Sequence, residues 1–476
     1  MERKTKIVAT ISDQRCSVEF IQSLYDAGMN VVRINSAHVT KESADILVNN
    51  VREVSDKIAI LIDTKGPEVR TTKMKDDENI SVEQGDLIKV KGGKEESSRE
   101  CLYMSAPSLV EHVGVGASLL IDDGDIELVV VEKTDDHLVA EVRNRGVIKR
   151  LKSVNIPGVH IPLPSITERD REFIVWAIER ELDFIAHSFV RNKEDLLSLQ
   201  EIIDEYDSPI KIISKIENQE GVDNIDEILK HTYGVMIARG DLGIEIPGAQ
   251  IPAIQRQLVK KCVENKTPVI IATQMLQSMI TNPRATRAEI SDVANAIYQR
   301  TDAIMLSGET ANGDYPVEAV QTMDRVAREI ERDTNAIVDV ALVHINNEIT
   351  ALLARSAVRA CSNLPVKAVV IDTLSGRTGR YMSSFRCDRP VYAVCYRKHV
   401  MRELSLSYGI FPEYQEPSFT HHNFLTKVLA SLQKSDKLEP QDLVVVIGGD
   451  FGVQQGASFM EICSLLALQN KYINKK

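Results

Sequence analysis

Basic charge is in short supply in this chain: 57 Lys and Arg stand against 69 Asp and Glu, a formal net charge of -12. That balance argues against a nucleic-acid surface or an anionic membrane as the main partner, and a small anionic ligand needs cations gathered locally. Cysteine is sparse and unpatterned, since the seven thiols make an odd number and none forms a Cys-x-x-Cys pair. Neither a disulfide framework nor a zinc site is therefore expected, and reduced thiols fit a cytoplasm. No apolar stretch approaches membrane-spanning length, and Met-Glu-Arg-Lys-Thr-Lys runs into IVATIS rather than an apolar signal region, so neither a span nor export is expected. Low-complexity tracts are missing too. At 476 residues the chain exceeds what one core supports, which predicts two or three domains.

What is present is a rhythm of short β-branched runs between amphipathic segments, the mark of β/α units feeding a parallel sheet. The runs are residues 6–11, 30–35, 58–64, 184–189, 211–217, 234–241, 268–273 and 303–309. Helical periodicity fills Ser17–Ala27, Glu168–Arg180, Ala253–Glu264 and Arg287–Arg300 between them. Eight such units predict a (β/α)8 TIM barrel. The gap after the third strand is too long for one crossover helix, and its Gly and Asp turns between LIKV, ASLLI, IELVVVE and HLVAEV predict a small β-barrel lid domain. The expected division is a barrel over 1–65 and 161–335, a lid over 66–160, and a C-terminal α/β domain over 336–476 built from Glu348–Cys361, VKAVVID, PVYAVC and DLVVVIGG.

In a TIM barrel the working residues lie at the C-terminal ends of the strands. Strand two ends in Arg33, Asn35, Ser36 and His38, with Arg33 and Asn35 on one face. An Arg there suits a phosphate or carboxylate, or else a structural ion pair. Strand three ends in Asp63, Thr64 and Lys65, followed by Glu68 and Arg70. Strand five carries Lys215 and Glu217 two apart, and strand six ends in Arg239, Gly240 and Asp241. Glu217 and Asp241 can meet across the mouth as a two-carboxylate magnesium site, or can be solvated loop acids; geometry decides. Strand seven ends in Thr273 and Gln274 and strand eight in Ser307, Gly308 and Glu309; the Thr273 and Ser307 hydroxyls suit substrate or proton relay, though hydroxyls also often cap helices.

Together RINSAH, DTKGPEVRT, ISKIEN, ARGDLGIEIP, ATQMLQSM and MLSGETANGDYP resemble the motif series of pyruvate kinase, from about residue 5 to about residue 330. The resemblance implies transfer of a phosphoryl group from phosphoenolpyruvate to ADP, a homotetramer, and Mg²⁺ or Mn²⁺ on Glu217 and Asp241. It implies that Arg33 and Lys215 face the phosphoryl group, that Gly240, Asp241 and Thr273 hold the carboxylate, and that Thr273 or Ser307 helps a water protonate the enolate. Nucleotide contacts map to Asn35, His38, Arg70 and Lys152, with the lid closing over them. Potassium is implied at Asn35, Asp63 and Thr64, with Glu68 the variant that accompanies potassium dependence. The family's serine ligand is replaced by Ala37 with Ser36 before it, and a one-residue shift on a strand turns a side chain away, so weaker potassium binding is expected. TISDQR at Thr10–Arg15 stands where the family has a Gly-Pro turn. Thr373, Ser375, Gly376, Arg377 and Thr378 resemble the family's phosphate-binding effector loop, whereas the partner loop from Gly448 lacks Trp and Arg and carries Asp450, which disfavours sugar-bisphosphate activation. The competing readings are another Mg²⁺ enzyme on a related barrel, which leaves the insert and Lys152 without a purpose, and a non-catalytic metabolite sensor, against which Lys215, Glu217, Asp241 and Thr273 stand.

Overall fold

The computed structural model describes residues 2–333, 340–416, 433, 438–449 and 456–472. The first strands are β1 (Lys6–Thr10), β2 (Val31–Asn35) and β3 (Ala59–Asp63). An insert follows, with β4 (Ile80–Val82), β5 (Leu87–Gly92), β6 (Cys101–Met104), β7 (Ser118–Ile121), β8 (Ile126–Lys133), β9 (Leu138–Val142), β10 (Gly146–Ile148) and β11 (Val154–Asn155). The rhythm then resumes in β12 (Phe184–His187), β13 (Lys211–Ile216), β14 (Gly234–Ala238), β15 (Val269–Ala272) and β16 (Ala303–Leu306). Strands β1–β3 and β12–β16 close into one barrel in the order β1, β16, β15, β14, β13, β12, β3, β2, and every pair is parallel. This is the expected TIM barrel.

Near-continuous Val and Ile runs suit it because each strand is buried on both faces. Val8, Val31, Leu61, Phe184, Ile213, Met236, Ile270 and Met305 form the inner cluster, with Leu406 of the C-terminal domain joining it. The alternate residues Ile7, Val32, Ile60, Ile185, Ile212, Ile237, Ile271 and Ile304 pack in the outer core with the helices. Helix starts are set by side chains: Ser17, Thr167 and Thr286 each accept a backbone N–H as N-caps of Val18–Asp26, Glu168–Glu179 and Arg287–Tyr298.

Several strands end sooner than periodicity alone predicts. β14 stops at Ala238 and β16 at Leu306, where the chain coils into the short helices Arg239–Glu245 and Gly308–Ala311. β12 stops at His187 and β15 at Ala272, ahead of positive φ values at Phe189, Thr273 and Gln274. The insert also departs from a single closed barrel. It has a six-stranded sheet in the order β11, β7, β8, β9, β5, β6 and a two-stranded ribbon of β10 and β4, packed around one apolar cluster of their own. Only single bridges from Arg70 to Ser153 and from Thr71 to Met104 link the outer edges of the sheet, so no continuous ladder completes the circle.

After the barrel, β17 (Val366–Thr373), β18 (Val391–Cys395), β19 (Ile410–Tyr414), β20 (Leu443–Gly449) and β21 (Ala457–Ser464) form a sheet in the order β19, β18, β17, β20, β21, with β21 the antiparallel edge. The expected C-terminal α/β domain is thus present. All seven cysteines are free, and no helix among the described residues is long and apolar enough to cross a membrane.

This domain is tied to the barrel through buried charge. Asp302, just before β16, accepts from both terminal nitrogens of Arg386 at 2.8 Å, from Ser383 Oγ at 3.0 Å and from the Tyr408 amide at 3.0 Å. Both charged side chains are only 3% exposed. Removing one member of a buried pair strands the other without water, at a cost of about 3–5 kcal/mol. Asp302→Ala is therefore expected to lower the unfolding free energy read from chemical denaturation by that amount, and Arg386→Met added to it should recover part of the loss. A double variant no more stable than Asp302→Ala would show that the ion pair is not the cause.

Candidate active site

The polar strand ends converge at the C-terminal mouth. Arg33 on β2 donates through Nε to Asp63 Oδ2 at 2.7 Å, with Nη2 on the same oxygen, and through Nη1 to Thr10 Oγ1 at 3.2 Å. Lys215 on β13 reaches Asp63 Oδ1 at 3.0 Å, Glu217 Oε1 at 2.9 Å and Ser188 Oγ at 2.8 Å. Asp63 is thus shared between two cations from the strands β2 and β13. Strand alternation explains the set: Arg33 follows Val31, Asp63 follows Leu61, and Lys215 follows Ile213, each two residues on and therefore also facing inward.

The electrostatics follow from this packing. Burial works to lower Lys215, but Asp63 and Glu217 outweigh it and hold the ammonium above its usual value, so it stays charged. Burial works to raise Asp63, yet Arg33 and Lys215 pull it below the ordinary carboxylate range. Glu217 goes the other way: burial, reinforced by Asp241 and Asp63 against the pull of Lys215, pushes it up to about 7. Asp241 is raised too, by burial first and by Asp123 and Asp63. Glu217, paired with Lys215, and the partly buried Asp241, which makes no ion pair among the described residues, are short of positive charge. That hard-oxygen donor set fits a divalent cation.

The other expected residues lie around this centre in different arrangements. Thr273 has φ +66° and Gln274 φ +54°, unusual for side chains of these types. The bend is pinned by Arg239, which donates to Thr273 O at 2.9 Å and to Gln274 O at 3.2 Å. Thr273 Oγ1 accepts from the Gly240 amide at 2.8 Å, so that amide is engaged with the hydroxyl. The Ser307 hydroxyl, expected as a relay or a cap, is buried with no hydrogen-bond partner among the described residues and does not cap its helix.

The nucleotide candidates spread across the rim. His38 is exposed beside Asn35, and Arg70 pairs with Glu68 while donating to Leu151 O at 2.6 Å. Lys152 pairs with Asp122 at 2.8 Å. A cleft of about 370 Å³ runs between the insert and the mouth, lined by Glu68, Asp123, Ser153, Asn155 and Asp241 among others.

For potassium, the oxygen donors are present but engaged. Asn35 Oδ1 accepts from the Ala37 amide at 3.1 Å, and Thr64 Oγ1 accepts from the Ser188 amide at 3.0 Å. Ser36 lies in the turn after β2, so strand alternation does not govern it; its hydroxyl is buried without a hydrogen-bond partner among the described residues. Thr373 and Thr378 are buried, Ser375 is exposed, and Gly376 adopts φ +73° as it caps Arg377–Ser384. Asp450 and the partner loop through residue 455 lie outside the described residues.

One contributor, Ser188, escaped the reading of the sequence, and another, Glu309, was read there only as a strand end. Ser188 bridges Lys215, Asp63 Oδ1 at 3.2 Å and Thr64 O at 2.6 Å. Its signal was the same period of two, because it follows the inward Phe184 and Ala186. Glu309, 1% exposed, folds back to accept the Ser307 amide at 2.8 Å and the Leu276 amide at 3.1 Å, clamping the ends of β15 and β16.

Comparison with known proteins gives a consistent picture. Residues 2–320 match the family model "Pyruvate kinase, barrel domain", and residues 351–463 match "Pyruvate kinase, alpha/beta domain". The chain is 43% identical to a pyruvate kinase of Borreliella burgdorferi over 469 residues, covering 97% of each protein. It is also 43% identical to a pyruvate kinase of Bacillus licheniformis over 471 residues, 97% of this chain and 80% of that one. A crystal structure of a pyruvate kinase from Cryptosporidium parvum superposes with a TM-score of 0.91 at 34% identity, over 97% of this chain and 96% of the other.

Proposed function

The chain belongs to the pyruvate kinase family, and on that premise we propose which of its residues carry the transfer of a phosphoryl group from phosphoenolpyruvate to ADP. The observation that supports the assignment most is the buried Lys215 ammonium, held between Asp63, Glu217 and Ser188 at the mouth of the barrel. As the phosphoryl group leaves, the enol oxygen gains negative charge, and a fixed ammonium stabilises it at little reorganisation cost. Arg33, locked by Asp63, offers its remaining guanidinium edge to the phosphoryl oxygens. Glu217 and Asp241 would hold Mg²⁺ or Mn²⁺, which when bound supplies Lewis-acid charge to substrate oxygens. The helix starting at Arg239 and the Thr273 hydroxyl position the carboxylate, and the unpartnered Ser307 hydroxyl is free to order the water that protonates the enolate. Arg70 and Lys152, at the root of the insert, together with Asn35 and His38, receive the nucleotide as the insert closes. A cytoplasmic homotetramer is part of the same reading, as is an anion-responsive loop at Thr373–Thr378.

The test couples pyruvate release to lactate dehydrogenase with phosphoenolpyruvate, ADP and Mg²⁺ supplied. Turnover that requires ADP supports the assignment; its absence in every salt overturns it. The same assay, run in potassium against tetramethylammonium, examines the cation site. Restoring a hydroxyl with Ala37→Ser is expected to lower the potassium concentration for half-activation roughly fivefold, the scale of about 1 kcal/mol that one polar contact contributes. An unchanged potassium response would remove Ala37 from the account.

A further inference from the structure

A second cleft, of about 570 Å³, opens between the barrel and the C-terminal domain at the opposite end of the barrel from the mouth. The barrel lines it with Lys211 at the start of β13 and with Lys230 and His231 from the turn before β14; the C-terminal domain adds Arg380, Arg397 and His399. Glu403 is the one carboxylate on its wall. That acid is buried, and its nearest cation, Lys211, stands 3.8 Å away. Lys230, His231, Arg397 and His399 make no ion pair among the described residues, while Arg380 lies over the Tyr233 ring at 5.5 Å.

This concentration runs against the charge of the chain as a whole, which is -12. Lys211, Lys230, Arg380 and Arg397, gathered from two domains around the one wall carboxylate Glu403, repel one another, a cost that a bound anion removes. Burial, with Lys211, Arg397 and Arg402 beside it, already lowers His399. The volume falls within the range of small-molecule sites, and the Ser208, Thr232 and Ser375 side chains add polar partners on the same wall. Of the five residues that resemble an effector loop, only Ser375 reaches it, so the cleft is a different place in the fold.

We propose that this interdomain cleft binds a small phosphorylated anion, a phosphate ester or diphosphate, clasped by cations from both domains. Guanidinium and ammonium groups are the side chains suited to phosphate oxygens, and Arg380 and Arg397 can each offer two N–H groups. The bound anion rests on the strand that carries Lys215 four residues beyond Lys211. The site stands apart from the phosphoryl-transfer assignment, and either can fail without the other.

The test is calorimetric titration of the full chain with sodium pyrophosphate in the absence of divalent metal. Reversing the exposed rim with Lys230→Glu and Arg397→Glu together is expected to weaken binding at least about tenfold, or about 1.4 kcal/mol, with turnover at saturating substrates unchanged. The control pair Lys89→Glu and Arg145→Glu, exposed on the insert, makes the same change in net charge and should leave binding intact. The proposal is overturned if the unmodified chain shows no binding at millimolar pyrophosphate, if the rim variant binds as well as the parent, or if the control pair weakens binding equally.

Discussion

Lys215→Met abolishes turnover: kcat is expected to fall roughly 10³-fold or more, about 4 kcal/mol, with a much smaller change in KM for phosphoenolpyruvate. Methionine keeps the length and apolar stem of the side chain, so the inner wall of β13 stays filled. What disappears is the charge placed 3.0 Å from Asp63 and 2.9 Å from Glu217. The loss should appear in kcat because an ammonium facing a developing enolate acts more strongly on the transition state than on bound substrate. Circular dichroism and a denaturation curve separate this from unfolding, since the substitution also leaves the buried Glu217 carboxylate without its ion-pair partner, while Asp63 keeps Arg33. Turnover within tenfold of the parent in a folded variant would remove Lys215 from the chemistry.

The second large effect concerns the carboxylates. Glu217→Gln or Asp241→Asn is expected to cost roughly 10²-fold or more in kcat/KM at fixed Mg²⁺, with the Mg²⁺ concentration for half-activation raised. A pH dependence accompanies it. Glu217 is pushed from its ordinary 4.5 up to about 7 by burial and by its acidic neighbours. Between those values the folded, metal-free protein binds a proton that the unfolded chain does not. Its contribution to stability is therefore present at low pH and is lost as pH rises through about 7. Mg²⁺ competes with that proton, so the metal's affinity, and the rise in melting temperature it confers, should grow over the same window. Thermal denaturation with and without Mg²⁺ on either side of the window reads this directly. A Glu217→Gln chain that keeps the full pH dependence of the Mg²⁺ effect would assign the proton elsewhere.

Much of this is legible in the sequence, for a physical reason. A strand buried on both faces must be written in Val, Ile and Ala, which leaves a charged inward residue such as Lys215 or Asp63 conspicuous at the end of its run. Pairs two apart, such as Arg33 with Asn35 and Lys215 with Glu217, then share a face by geometry alone. What stayed hidden is what alternation does not encode. Strand ends were overrun because RGD after Ala238 and SGE after Leu306 carry no proline to signal a break, while the backbone has already turned to helix. Ser188 works through hydrogen bonds to Asp63 and Lys215 on neighbouring strands, and the clamp that Glu309 makes on the Leu276 and Ser307 amides depends on loops that alternation does not describe. The contacts that bind the C-terminal domain to the barrel, such as Asp183 to Arg402, join residues 219 positions apart. The bridges that nearly close the insert depend on Arg70 and Thr71, which belong to no run long enough to read as a strand.

Strand β13 holds Ile213 in the barrel wall and Lys215 in the site on one face, while Ile212, Ser214 and Ile216 face the helices or the outer core. Its chemistry is therefore keyed to residue parity. Deleting one residue between Ile212 and Ser214 would turn Lys215 outward into the helix layer, away from Asp63, even though every codon for the site survived. The turns of the insert are under no such constraint, because the insert keeps its own apolar cluster and, beyond its two chain crossings, touches the barrel through polar contacts such as Asn155 to Glu245 and His160 to Glu220. Over evolutionary time the barrel strands should accept substitutions but reject insertions and deletions, whereas the turns of the insert can change length freely. The same chain thus carries two modes of variation, split at the boundary between strand end and insert.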